Sequence, residues 1–328
     1  MNSFGRIFKI TIFGESHGKM VGVNIDGCPA GIKFSEKDLE HDLLRRKSGT
    51  IGTTPRIEDD NPQIVSGIFN GFTTGASVTI LFENSNILPK DYFELKNIPR
   101  PGHADFSAMK KFNGFNDFTG GGSFSGRLTI GLVAAGVLAK KVIAPLEIYS
   151  NLVEVGGSND IGKKIDEIIN KKDSVGGIIE CLVKNIPVGL GEPFFDSVES
   201  NISHIVFSIP GVKGIEFGSG FNSAKMLGSE HNDLIISVEG KTLTNNSGGI
   251  NGGITNGNEL FFRVAIKPTS SISLSQKTIN IETGKMVDLQ IKGRHDVCFA
   301  LRVPVIIEAV TAIVLADFKL IQQLYSKV

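Results

Sequence analysis

Two of the six histidines stand in short turns whose neighbours suit an imidazole for chemistry. Gly14-Glu15-Ser16-His17-Gly18 follows the strand-like run Phe8–Phe13 and so displays His17 at a strand end, where functional side chains are often presented. Arg100-Pro101-Gly102-His103-Ala104-Asp105 is a second rigid turn with no apolar pattern to explain its histidine. An ordinary imidazole pKa near ~6.5 lets either ring give or take a proton around neutrality. A third cluster, Gly293-Arg294-His295-Asp296, sets cation, imidazole and carboxylate side by side. The plain alternatives are a solvent-facing loop for His17 and a structural role for His295.

Two glycine-rich segments point to an anion. Gly120-Gly121-Gly122-Ser123-Phe124-Ser125-Gly126-Arg127 runs directly into Leu128–Ile143, a long apolar stretch without proline that reads as a buried helix. Glycines admit close approach of a ligand to the main chain, and a helix start offers unpaired N–H groups with partial positive charge. The second segment, Gly248–Gly257, precedes a strand that ends in Lys267-Pro268-Thr269-Ser270-Ser271. A lysine beside hydroxyls suits a phosphate, and the glycines leave room for a flat ring. A phosphorylated ligand is the expectation.

These loops need a scaffold, and the apolar pattern supplies one. Strand-like runs fall at Phe8–Gly14, Val21–Asp26, Ala76–Glu83, Ile148–Val155, Gly177–Asn185, Leu234–Val238, Leu260–Ile266 and Lys277–Ile281. Ser35 with Asp38 caps a helix whose apolar face holds Leu39 and Leu43, with Arg45, Arg46 and Lys47 at its C-terminal end. Ile161, Ile165, Ile168 and Ile169 give the segment from Ser158 to Lys172 the spacing of a surface helix. Leu128–Ile143 and Pro304–Leu320 are apolar almost all round. A helix apolar on every face must be covered on every face, so the expected fold is α+β, a layered β-α-β sandwich with central apolar helices between antiparallel sheets.

Composition narrows the function classes. The 34 basic and 34 acidic side chains cancel, and no long block of one sign appears, which argues against nucleic acid or a membrane surface as the main partner. Cys28, Cys181 and Cys298 are few and widely spaced, as expected of a reducing, cytoplasmic setting. Neither a signal peptide nor a bilayer-length apolar span is visible. With no long linker or repeat, one domain over 1–328 is expected.

Taken together, the motifs carry a resemblance. Gly-Glu-Ser-His-Gly (14–18), Arg-Pro-Gly-His-Ala-Asp (100–105), Gly-Leu-Gly-Glu-Pro-Phe-Phe-Asp (189–196), Lys-Gly-Ile-Glu-Phe-Gly-Ser-Gly-Phe (213–221), Gly-Ser-Glu-His-Asn-Asp (228–233), Lys-Pro-Thr-Ser-Ser (267–271) and Gly-Arg-His-Asp (293–296) follow the order found in chorismate synthases. The chain resembles that family from Phe4 to its last helix. The resemblance implies a carbon–oxygen lyase of the shikimate pathway that eliminates phosphate and a C6 proton from 5-enolpyruvylshikimate 3-phosphate to give chorismate. It implies reduced FMN with no net redox change, an external flavin reductant with NADP as the associated nicotinamide, no additional flavin reductase domain, and a homotetramer. It further implies His17 and His103 as two acids, one toward the reduced flavin and one toward the leaving phosphate, and Asp296 as the group removing a proton at the flavin.

For the flavin the resemblance points to Ser123, Phe124, Ser125, Gly211, Gly253, the run Lys267, Pro268, Thr269, Ser270 and Ser271, and Arg294. For the substrate it points to Arg45, Arg46, Arg100 and Arg127, whose planar forks hold carboxylate and phosphate in fixed orientation. An exposed helix-end charge is the alternative for Arg45. No metal is expected. Three departures stand out: Ser123 where relatives commonly carry arginine, the segment Ser48-Gly-Thr-Ile-Gly-Thr-Thr-Pro55 with only Arg56 following, and Val297 in place of proline. Two rivals follow: a flavin-binding protein that has lost catalysis, and a metal-dependent phosphatase on His103, Asp105, His295 and Asp296.

Overall fold

The computed structural model describes residues 2–55, 58–85, 95–291 and 295–325. Its first half runs β1 (Ser3–Phe4), β2 (Lys9–Gly14), β3 (Met20–Asp26), α1 (Glu36–Arg46), β4 (Pro62–Ser66), the small ribbon β5 (Ile68–Phe69) and β6 (Phe72–Thr73), and β7 (Val78–Glu83). Five of these strands form an antiparallel sheet in the order β1-β2-β3-β7-β4. Next come α2 (Asp105–Lys111), two 3-10 turns at Thr119–Phe124 and Gly126–Leu128, α3 (Thr129–Ile143), β8 (Glu147–Val155), α4 (Ile161–Lys171), β9 (Gly177–Lys184), α5 (Val198–Val206), β10 (Val212–Phe217) and α6 (Gly228–His231). The chain closes with the ribbon β11 (Ile250–Asn251) and β12 (Ile254–Thr255), then β13 (Leu260–Ile266), the ribbon β14 (Gln276–Asn280) and β15 (Lys285–Leu289), and α7 (Pro304–Tyr325). A second antiparallel sheet has the order β10-β13-β9-β8.

The layered α+β expectation is what the structure shows. Helices α3 and α7 pack on each other between the two sheets, α3 against β2 and β3, α7 against β8 and β9. Close approach is written into small residues: a Cβ on Gly136 would collide with Ala309 of α7, and one on Gly131 would come within 3.2 Å of the Gly22 carbonyl in β3. Each sheet turns one face inward, with Val78, Ile80 and Phe82 on β7 and Leu260, Phe262, Val264 and Ile266 on β13 all buried. Side-chain alternation with a period of two makes that possible. Fully burying each such side chain stabilises by roughly 1.5–3 kcal/mol.

Helix α1 begins where the Ser35 and Asp38 pair expects it, with the Asp38 carboxylate accepting from the Ser35 backbone N–H at 2.7 Å. Helix α4 begins later than the apolar spacing suggests, because Asp160 accepts from Lys163 N–H and fixes Ile161 as its first residue. The apolar run Leu234–Val238 is not a strand. It makes a single bridge, Ile235 to Thr242, and its backbone bonds to Lys241 and Leu243 close a local loop. Leu234, Ile235, Ile236 and Val238 are exposed. Conversely, β4 and β10 escape the pattern: β4 opens on Pro62, and β10 carries Lys213, Gly214 and a register shift between Val212 and Gly214.

Candidate active site

A cleft of about 620 Å³ opens where the glycine loop, the end of α1, the turns at 100–104, 207–213 and 267–271, and the segment leading into α7 converge. Most are connections between elements, consistent with a layered core carrying chemistry on its loops. Gly120, Gly121 and Gly122 all have positive φ, at 58°, 88° and 51°. That run of left-handed backbone explains the glycine triplet, since side chains are disfavoured there. Beyond it Ser125 accepts from Arg127 N–H at 3.2 Å, starting the short 3-10 turn that feeds α3.

The histidine turn is held by a network of hydrogen bonds. Arg100 donates from Nε to Asp105 Oδ2 at 2.7 Å and from a terminal nitrogen to Oδ1 at 2.8 Å, while His103 Nδ1 meets Oδ1 at 2.6 Å. Burial pushes the Asp105 carboxyl up, but hydrogen bonds from Arg100 and His103 outweigh it and hold the group well below the usual carboxylate range. An ionised Asp105 favours a proton on His103 Nδ1 and leaves Nε2 outside that hydrogen bond. Lys267 and Ser270 both bond the Gly102 carbonyl, at 2.5 and 2.7 Å, and clamp this turn to the Lys267–Ser271 segment. Burial and the neighbouring Lys213 pull the Lys267 ammonium pKa down.

Opposite lies a cationic wall. Arg46 is 6% exposed and donates to Asp60 Oδ2 at 2.9 Å, and Asp60 Oδ1 accepts from Arg127. Burial lowers Arg46 to about 10 against the pull of Asp60. Arg302 donates to Asp296 Oδ2 at 2.6 Å, Thr54 N–H bonds Asp296 Oδ1 at 2.9 Å, and the Arg302 guanidinium stacks over Phe299 at 5.4 Å. Burial also lowers the pKa of His295, which lines the same cleft. Three buried polar atoms among the described lining residues have no partner: Arg46 Nε, Arg302 Nε and Thr269 Oγ1. Two are guanidinium donors, and the third is a hydroxyl that can donate or accept, so the arrangement asks for a bound anion.

Of the residues singled out from the sequence, Arg46, Arg100, His103, Ser123, Phe124, Ser125, Arg127, Gly211, Lys267, Pro268, Thr269, Ser270, Ser271 and Asp296 all line this cleft. His17 does not line it. Its ring packs against the glycine loop, where a Cβ on Gly120 would strike it, and its Nδ1 meets Ser16 Oγ at 2.8 Å. Arg45 turns away to Glu308, with two bonds of 2.7 and 2.6 Å. Gly253 packs under Ser197 and the Glu192 carbonyl. Arg294 lies outside the described residues, as does Arg56. Sequence reading missed Lys47, Glu58, Asp60, Lys213, Phe299 and Arg302 on the wall. The Glu58-Asp59-Asp60 run was the available signal for Asp60; nothing local marks Arg302.

A family model described as chorismate synthase matches residues 8–320. The chain belongs to the chorismate synthase family. A chorismate synthase of Chitinophaga pinensis is 59% identical over all of this chain and 99% of the relative. One from Methanocaldococcus jannaschii is 41% identical over 97% of this chain and 96% of its own length. A solved structure described as the crystal structure of chorismate synthase superposes with a TM-score of 0.76 at 27% identity, covering 97% of this chain and 93% of that one. In this member of the family the glycine loop, histidine turn and arginine wall face one shared cleft. Among the described residues no group of three or more His, Cys, Asp and Glu is placed to hold a metal, and no helix is long and apolar enough to cross a membrane.

Proposed function

We propose that this chain converts 5-enolpyruvylshikimate 3-phosphate to chorismate, a 1,4-elimination of phosphate and a C6 proton within aromatic amino-acid biosynthesis. The observation that carries the reading is the meeting of His103, Asp296 and four arginines (46, 100, 127 and 302) in one cleft of a family member. Seven cations line it (Arg46, Lys47, Arg100, Arg127, Lys213, Lys267 and Arg302) against three carboxylates (Glu58, Asp60 and Asp296) among the described residues. Such an excess favours a multiply charged anion and speeds its arrival.

The residues also fit reduced FMN. Phe124, 41% exposed, offers an apolar face, Gly120 brings backbone without a side chain to the cleft, and the unpartnered Thr269 Oγ1 beside Lys267, Ser270 and Ser271 offers hydrogen-bonding groups for its oxygens. When bound, the cofactor's contribution is reversible electron supply to the substrate, which leaves no net redox change. Arg46, Arg100 and Arg127 orient the substrate anion. His103 and His17 are the two proton donors of the proposal: His103 acts from Nε2 on the cleft wall, and His17, packed behind Gly120, reaches a bound ligand only once the glycine loop moves aside on binding. Asp296, held by Arg302 and Thr54, accepts a proton on the flavin side. Arg45 is left out of the substrate set because it does not line the cleft and turns to Glu308 and Asp42 instead.

The reductant is external, the location cytoplasmic and the functional unit one domain. A homotetramer is also proposed; exposed Leu227, Leu234, Ile235, Ile236 and Val238 support self-association, and light scattering measures it. The decisive experiment is anaerobic incubation with dithionite-reduced FMN and 5-enolpyruvylshikimate 3-phosphate. Release of phosphate with formation of chorismate is expected. Flavin binding without phosphate release would sink the reading in favour of a relic.

A further inference from the structure

Asp60 is an oddly placed carboxylate for a cleft built to hold an anion. It is 5% exposed, lines the cleft, and has φ of 55°, the left-handed region that aspartate tolerates better than most side chains. Its charge opposes anion binding at close range. Yet each oxygen has its own guanidinium: Arg46 on Oδ2 at 2.9 Å and Arg127 on Oδ1. The two arginines come from the end of α1 and the 3-10 turn that leads into α3, and without a carboxylate between them they would repel. The rest of the Arg127 fork is also fixed, by Asn84 Oδ1 at 2.9 Å and the Glu83 carbonyl at 3.1 Å. Asn84 in turn donates to the Glu15 and Gly18 carbonyls at 3.0 and 2.8 Å, which ties the pair to the turn carrying His17. Arg46 Nε keeps its proton unpaired beside the cleft.

We propose that Asp60 is a positioning residue: it clamps the Arg46 and Arg127 guanidinia side by side and sets the spacing at which they grip the substrate's phosphate, without touching it. The inference rests on the phosphate-binding reading of the cleft and adds a residue that no motif marks. A clamp and a mere counter-charge differ in sign. If Asp60 acts only through its charge, neutralising it makes the cleft more positive and tightens anion binding. If it positions, neutralising it frees two arginines and loosens binding in spite of the added positive charge.

The test is titration of the purified full-length protein with inorganic phosphate, free of flavin, followed by steady-state kinetics. Asp60→Asn is close to isosteric and tolerates the same backbone, so its fold is checked by melting and circular dichroism. The positioning role predicts phosphate binding roughly tenfold weaker, with KM rising more than kcat falls. Equal or tighter phosphate binding overturns it. Asp60→Glu carries the test if the asparagine variant does not fold: charge is kept but the carboxylate shifts, and binding is expected to weaken by roughly fivefold, whereas wild-type affinity overturns the proposal. A wild-type protein that binds no phosphate would remove the anion cleft itself and this inference with it. Phosphate binding unchanged in Asp60→Asn beside a normal wild-type turnover would remove the clamp alone.

Discussion

Arg45 and Arg46 are neighbours on one helix and live in opposite electrostatic worlds. Arg45 enters a balanced brace between α1, α3 and α7: Glu308 accepts two bonds from it and one from Lys140 at 2.9 Å, and Asp42 accepts from Lys140 at 2.6 Å. Glu308 also takes the Ser150 N–H of β8 at 3.1 Å, so the brace reaches the second sheet. Arg46 faces a wall where cations outnumber carboxylates and where its own Nε goes unpaired. The lesson is that the charge around each guanidinium separates the two. One balanced by carboxylates on neighbouring helices holds those helices together, and one on a wall with surplus cations stands where an anion can be bound.

That contrast breaks most visibly on the cleft side. His103→Ala removes a proton-handling group from the wall while leaving the helical core untouched, so turnover should fall roughly 10²–10⁴-fold with little change in melting temperature. An anaerobic assay with reduced FMN beside a melting curve checks both halves. On the brace side the signature inverts. Glu308→Gln strips the carboxylate from under Arg45 and Lys140 and should cost about 2–3 kcal/mol of stability, less than a fully buried pair because both cations remain partly exposed. Denaturant unfolding measures it, and a loss of turnover without a loss of stability would merge the two regions.

Legibility from sequence divides along the same line. Helices α3 and α7 were readable because apolar side chains on every face admit only a sandwiched position, and β13 because its alternation runs unbroken from Leu260 to Ile266. The glycine loop was readable because three adjacent positive φ values leave glycine little competition. The 234–238 run misled because strand-like composition does not reveal whether a sheet edge is there to receive it. In the site, motif residues supplied the histidine turn and the Lys267–Ser271 clamp. The partners of Asp60 lie 14 and 67 positions away, and Arg45 faces Glu308 across 263. No local pattern distinguishes Arg45 from Arg46; only the folded neighbours do.

A milder substitution sharpens that last point. Arg45→Gln should lower stability by about 1 kcal/mol and leave KM for the phosphorylated substrate within roughly twofold of wild type. Arg46→Gln should instead raise KM by roughly tenfold or more, since it removes a guanidinium from the cationic wall of the cleft. Paired kinetics and melting on the two variants decide the assignment, and a larger KM effect at Arg45 would reverse it.

The smallest expected effect is acid dependence in the brace. Burial raises the Asp42 carboxyl pKa, but Lys140, His41 and Arg45 outweigh burial and leave it below its ordinary value near ~3.9. With the folded pKa depressed, the stabilisation is fully present above the unfolded value and is lost as pH falls from there through the folded one. Asp42→Asn keeps much of the shape and removes only the charge, so it should cost about 1 kcal/mol at pH 7. The gap between wild type and variant should then narrow below pH ~4 as the wild-type carboxylate takes up its proton. Melting temperatures of both proteins from pH 7 down to pH 3 test this, and a gap that stays constant would mean that Asp42 acts through packing and that the brace is not electrostatic at this corner.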